Sequence, residues 1–164
     1  MLYCNSVIYR WFMLALTHFD SKTYQENRDW CIKNNYGGCI YGSPIQISSS
    51  IDPDTRLYVL EMNNTTNRIM GIGVIIPGIR TITRAKIYSD QNYNRFIYNS
   101  KLRIDLERDY IPLSLIKKIV VLERMLFYGS RHCKRGQGIQ LLPLWIRLTP
   151  ANQILTGLQK YFRK

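Results

Sequence analysis

The sequence predicts an α+β fold, and three observations carry that reading. Between Leu57 and Ile76, two runs rich in β-branched and aliphatic residues flank Asn63-Asn64-Thr65-Thr66-Asn67, the pattern of a β-hairpin. Lys101-Leu102-Arg103-Ile104-Asp105-Leu106 alternates at period two, and from Pro112 the apolar period lengthens to that of a helix. With 164 residues, 46% of them hydrophobic and 21% charged, the chain has enough material for one core and too little for two ordinary domains.

In chain order, Val7 to Leu16 is rich in β-branched and aromatic residues and reads as a first strand. Thr23-Tyr24-Gln25-Glu26 has the spacing of a capping box and predicts a helix from about Tyr24 to Lys33, stopped by Asn34-Asn35 and Gly37-Gly38. Cys39-Ile40-Tyr41 reads as a short strand and Gly42-Ser43-Pro44 as a turn. The hairpin strands follow as Leu57–Met62 and Arg68–Ile76. In the second, Gly71 and Gly73 share a face and remove side chains where a backbone, a ring or a ligand must come close. Ala85–Tyr88, Arg95–Tyr98 and Lys101–Leu106 read as further strands. Leu115, Ile119, Leu122 and Leu126 then form the apolar stripe of a helix opened by Pro112. A basic loop, Gly129–Gly138, precedes a strand at Ile139–Leu142, and Thr149-Pro150 starts a last helix with Ile154, Leu155, Leu158 and Phe162 apolar. Residues 1–148 are thus expected to form the domain and residues 149–164 a basic C-terminal helix packed on it or trailing it.

The formal charge of +12 is unevenly spread: residues 1–79 carry 6 basic against 6 acidic side chains, and residues 80–164 carry 17 against 5. From residue 117 onward, ten basic residues face a single acid, Glu123. One-sided charge of this size points to a polyanionic partner, nucleic acid first and an anionic membrane second. Aromatic residues are interleaved with the cations: Tyr88, Tyr93, Phe96 and Tyr98 accompany Lys86 and Arg95, and Trp145 precedes Arg147. Rings that stack on bases and cations that follow phosphates are together what binds single strands.

Other chemistries find little support. The sequence has no GxSxG, HExxH, P-loop or dinucleotide fingerprint, and its two histidines, His18 and His132, lie far apart. Cys4, Cys31, Cys39 and Cys133 include no CxxC pair and read as reduced thiols rather than ligands of a zinc ion with His132. Arg135-Gly136-Gln137-Gly138 invites comparison with the phosphate loop of acyltransferases. However, Cys133 stands where that loop wants Arg or Gln, and Ile139–Leu142 followed by Pro143 does not read as a helix start. The longest apolar run, Trp11–Leu16, is six residues, against about 20 for a spanning helix. Arg10 interrupts any secretory signal, so a cytosolic or nuclear location is expected.

The order strand, capped helix, Gly-bearing strand, hairpin, further strands, helix and basic loop with a strand resembles the PUA-like superfamily, and within it the EVE and YTH domains. Leu57–Ile76, with its G-x-G strand, looks like the family's central hairpin, and Arg135-Gly136-Gln137-Gly138-Ile139 is similar to a basic G-Q-x-I segment near the end of YTH domains. The resemblance implies a small mixed β-barrel flanked by three helices, and binding of RNA or DNA around a modified base in an aromatic pocket. Trp30 and Tyr41 occupy the segments that would supply the first wall, whereas Trp145 lies too near the chain end to match the later one. The Asn- and Ile-rich composition is also similar to that of proteins from large DNA viruses with AT-rich genomes.

The expectation is therefore a non-enzymatic binder of single-stranded or structured RNA, favoured over DNA, with no cofactor, metal or membrane partner. Lys86, Arg95, Lys117, Arg131, Lys134 and Arg135 are the candidate phosphate contacts; Trp30, Tyr41, Ser43 and Tyr93 the candidate base pocket; Gly71, Gly73, Gly136 and Gly138 the points of close backbone approach. The rival is a structural or packaging protein, of a virion if viral, whose basic face grips a genome or an acidic partner without reading bases. An acyltransferase using the Gly136/Gly138 loop ranks third.

Overall fold

Residues 12–163 are described by a computed structural model. Strands β1 (Phe12–Phe19), β3 (Arg56–Asn63) and β4 (Arg68–Ile75) form the centre of a five-stranded sheet, completed by β6 (Arg103–Asp105) beside β4 and β7 (Gln140–Leu141) beside β1. β1 and β3 are parallel, from Phe12 opposite Arg56 to Phe19 opposite Asn63, and the other pairings in this sheet are antiparallel. A parallel pair needs a long crossover. It is supplied by α1 (Ser21–Lys33) and by β2 (Cys39–Ser43), which pairs with β5 (Phe96–Ser100) in a separate two-stranded sheet.

Period-two alternation sends side chains to two cores. Leu14, Leu16, Tyr58, Leu60, Met62, Ile72, Val74 and Ile104 face α2 (Leu113–Phe127), the short α3 (Leu144–Arg147) and α4 (Ile154–Phe162). Ala15, Phe19, Leu57, Val59 and Ile75 face the β2–β5 sheet and α1. The stripe read for α2 is the one it buries: Leu115, Ile119, Leu122 and Leu126 all enter the first core. The hairpin also falls where expected, with Asn67 taking the left-handed conformation (φ 54°) that asparagine tolerates in turns.

The α+β class holds, but the five-stranded sheet has two ends, β6 and β7, and is not closed into a barrel. Of the first expected strand, residues 7–11 lie outside the described residues, and β1 continues three residues past Leu16 because Thr17 and Phe19 still find β3 partners and bury their side chains. The α1 cap is Asp20, not Thr23. Asp20 Oδ1 accepts from the Thr23 backbone N–H at 2.7 Å and Thr23 Oγ1 accepts from the Asp20 N–H at 3.0 Å, while the Glu26 carboxylate accepts from the Ser89 N–H instead. Gly42-Ser43 is strand rather than turn, being paired with Ile97 and Phe96.

Ala85–Tyr88 is not a strand, because a side chain takes the place of a neighbouring strand. Asn94 Oδ1 accepts from both Ile87 and Tyr88 N–H at 3.0 Å. The helix α3 escaped the sequence because it is a single turn after Pro143. Thr149 caps a 3₁₀ turn, Pro150–Gln153, that runs into α4. Ile154 and Leu158 of α4 are fully buried beside α2, and Phe162 packs on Tyr58 with ring centroids 5.8 Å apart. The C-terminal helix is therefore part of the same core. Among the described residues, no helix is long and apolar enough to cross a membrane.

Candidate functional site

Because β1 and β3 are parallel, their carboxyl ends lie at one edge of the sheet, where the start of α1, the β3–β4 turn and the basic loop converge. A cavity of about 220 Å³ opens there. Thr17, His18, Phe19, Asp20 and Thr23 line it from the β1–α1 junction, Gly42 and Pro44 from the end of β2, and Asn64 from the hairpin turn. Tyr88 and Tyr93 form the aromatic wall and Gly136-Gln137-Gly138 the remaining side. This is smaller than the roughly 300–1,000 Å³ of sites that enclose a drug-sized ligand, so it suits one ring system rather than a whole cofactor.

Two side chains hold the loop in place. His18 Nε2 donates to the Cys133 carbonyl at 2.7 Å, and Asn64 Nδ2 donates to the Lys134 carbonyl at 2.9 Å. Burial lowers the His18 pKa from its ordinary value, against the opposing pull of the Cys133 carbonyl, so the ring is neutral at pH 7 with its proton on Nε2. At Gly138 the backbone has φ +72° and a Cβ would stand 2.6 Å from Ser43 Oγ, so only glycine fits against the β2 strand end. Asp20 is held below the usual carboxylate range, chiefly by the Thr23 backbone N–H, and is ionised.

The candidate residues divide clearly. Tyr93, Gly136 and Gly138 line the cavity. Lys134 and Arg135 immediately precede Gly136, Arg95 lies two residues after Tyr93, and exposed Lys86 lies two before Tyr88, so these cations belong to the segments that form its walls. Lys117 lies on α2, across the sheet, and Arg131 stacks over the Trp145 ring with its guanidinium 5.7 Å from the centroid. Trp30 packs edge-on against Tyr36 at the far end of α1. Ser43 is buried beneath Gly138, its hydroxyl donating to the Ile45 carbonyl.

Tyr41 is not available to stack on anything outside the core. It is fully buried and its hydroxyl donates to Glu61 Oε1 at 2.8 Å. Gly71 and Gly73 serve the same buried group rather than an external backbone. A Cβ on Gly71 would lie 2.6 Å from Glu61 Oε2, and one on Gly73 would lie 2.6 Å from Cys39 Sγ and overlap the Tyr41 hydroxyl. The glycines clear a channel in which Arg103 makes two bonds to Glu61 (Nε to Oε1 2.9 Å, Nη2 to Oε2 2.7 Å) and reaches Asp105 at 3.2 Å. Burial taken alone loosens the Arg103 proton, but the Glu61 carboxylate more than offsets it and the net shift is upward. Burial, with Glu61 adding to it, pushes the Cys39 thiol up to about 12, so it stays protonated. Cys31 is likewise buried and shifted upward, mainly by burial.

His18, Asp20, Asn64, Tyr88 and Gln137 were not among the candidates read from the sequence. One signal was present: Asp20 stands three residues before Thr23, the spacing of a cap. Nothing in the sequence placed Asn64 beside residue 134, which is 70 positions away. In comparisons with known proteins, no family model, no curated protein and no solved structure matches the chain.

Proposed function

We propose that the chain is a non-enzymatic, PUA-like nucleic-acid-binding domain that takes one base of a single-stranded or structured RNA into the cavity at the carboxyl end of β1. The observation that carries this reading is a ring-sized cavity with a tyrosine wall, formed in part by the loop that bears Lys134 and Arg135. Tyr93, 37% exposed, offers its ring to a base, and Lys134, Arg135, Arg95 and Lys86 serve the flanking phosphates. The β2–β5 sheet facing the five-stranded sheet supports reading the two as an opened form of the PUA-like barrel. A modified base would enter the same cavity.

The packaging alternative draws on a different observation: basic residues such as Lys117 and Arg124 on α2 lie across the sheet from the cavity. Fluorescence anisotropy against single-stranded RNA, single-stranded DNA and duplex of equal length, each in a salt series, separates the two. Base reading predicts a preference for single-stranded RNA that persists at high salt and is lost in Tyr93→Ala. The double variant Lys134→Ala/Arg135→Ala should weaken all sequences alike and lower the salt slope by about 1 to 2, at roughly 0.7 per phosphate contact on single strands. Equal binding to every polyanion, vanishing with salt, would reject the base-reading function in favour of packaging.

A further inference from the structure

The opposite edge of the sheet holds a second cavity, of about 260 Å³. It lies where β3 begins at Arg56 and β4 ends, beside the turn from Ile76 to Ile79 and the segment from Asn99 to Leu102 that leads from β5 into β6. Val74, Ile76, Ile79 and Leu102 make its walls mostly apolar. Ile79 and Leu102 are 59% and 42% exposed, surface that a bound apolar group would take out of water. The polar side chains around these walls are left with donors. Asn99 is spent internally: its Oδ1 accepts from the Ile82 N–H at 3.1 Å, and its Nδ2 donates to the Tyr36 hydroxyl at 3.1 Å and to Thr81 Oγ1 at 2.6 Å. Thr81 Oγ1 is thereby an acceptor, as is Ser100 Oγ, which receives the Leu102 N–H at 2.9 Å, so each hydroxyl keeps its proton to donate. Arg56 and Lys101 complete the lining, the Arg56 guanidinium resting over the Phe12 ring 5.7 Å from its centroid. Among the described residues, neither cation pairs with a carboxylate and no acidic side chain lines the cavity. Asp52 and Asp54 flank Pro53, whose carbonyl receives the Gly78 N–H, and both lie outside the lining.

We propose that this cavity binds a small apolar carboxylate, a medium-chain acyl acid or an aryl acid. Its hydrocarbon body lies between Ile79 and Leu102, and its carboxylate takes the donors of Lys101, Arg56, Thr81 and Ser100. A carboxylate is acceptor only and matches a rim of donors, whereas an ammonium group would meet two cations there. The volume falls just below the roughly 300–1,000 Å³ of sites for drug-sized ligands, which favours a short body over a long acyl chain. The site is separate from the nucleic-acid reading, because the length of β3, eight residues at about 3.3 Å each, lies between the two cavities.

Isothermal titration calorimetry of the full chain with octanoate tests this against octanol, which keeps the body and loses the charge, and acetate, which keeps the charge and loses the body. Octanoate should bind at one site per chain and about tenfold or more tightly than either, the scale of hydrogen bonds to a charged group. Ile79→Glu, at an exposed turn position, puts a carboxylate beside the ligand and should weaken octanoate about tenfold. Lys101→Ala should weaken octanoate and leave octanol unchanged. Amide chemical shifts of the wild type locate the ligand whether or not a variant folds: octanoate should move Ile79, Thr81, Ser100, Lys101 and Leu102 and leave Gly136 to Gly138 in place. Shifts centred on the basic loop, or several equivalent sites per chain, would mean adsorption to the charged surface and would overturn the proposal. Equal affinity for octanol, or no binding at millimolar octanoate, would overturn it as well.

Discussion

Replacing Arg103 by methionine would isolate the energetics of the buried network. The Arg103 and Glu61 side chains are 5% and 1% exposed, and the two bonds between them are 2.9 and 2.7 Å long. Without the guanidinium, Glu61 keeps, among the described residues, the Tyr41 hydroxyl on Oε1 and no donor on Oε2. Breaking such a pair from one side costs about 3–5 kcal/mol, because the remaining charge is dry and unpaired. For a domain of this size, about 2–4 °C per kcal/mol converts this to a fall in Tm of about 6–20 °C. Removing both charges, as Glu61→Leu with Arg103→Met, should cost far less, leaving about 1–3 kcal/mol for the Tyr41 hydroxyl that then lacks its acceptor. Urea unfolding followed by tryptophan fluorescence measures four proteins, the wild type, Arg103→Met, Glu61→Leu and the double variant, and a common m-value shows that the same surface is exposed in each. A loss below about 1 kcal/mol in Arg103→Met, or a double variant that loses the full sum of the singles, would refute the view that this is a dry, coupled pair.

Other perturbations test the remaining parts. Leu122→Ala, at a fully buried position between α2 and the sheet, should cost about 2–5 kcal/mol, read from the urea midpoint. Gly138→Ala meets both a left-handed backbone and the Ser43 hydroxyl, so it should displace residues 133–138 and speed their amide exchange while α2 stays protected. His18 has a folded pKa below its ordinary 6.5, so the unfolded chain binds the extra proton first. Its stability contribution is full above about 6.5 and is lost as pH falls through the folded value. The urea midpoint of the wild type should therefore drop more between pH 7 and pH 5 than that of His18→Gln, and an identical drop would remove His18 from the account. Asp20→Ala should cost about 0.5–2 kcal/mol through the lost cap, and Asp20→Asn almost nothing, as judged by thermal melting.

The amino-acid sequence by itself determined whatever depends on neighbours a few positions apart. The hairpin, the α2 stripe and the basic second half are legible because turn chemistry, a 3.6-residue period and charge are local properties. Capping was half legible: the residue types were present, and the extent of β1 decided that Asp20 rather than Thr23 begins the helix. Contacts across many positions were settled only by the tertiary structure. Gly71 and Gly73 announced a close approach, but nothing local says that what approaches is Tyr41, Cys39, Glu61 and Arg103, the last 30 residues or more downstream. Tyr41 looked like a stacking ring because tyrosine is equally at home around a base and around a buried carboxylate. Its hydroxyl bond to Glu61 put it in the core. The cavity arises in the same way. A parallel β1–β3 pair brings His18, Asp20 and Asn64 to one edge, and a loop more than 60 residues away closes over them through two side-chain bonds to its carbonyls, an arrangement that pairwise strand order creates and no stretch of sequence contains.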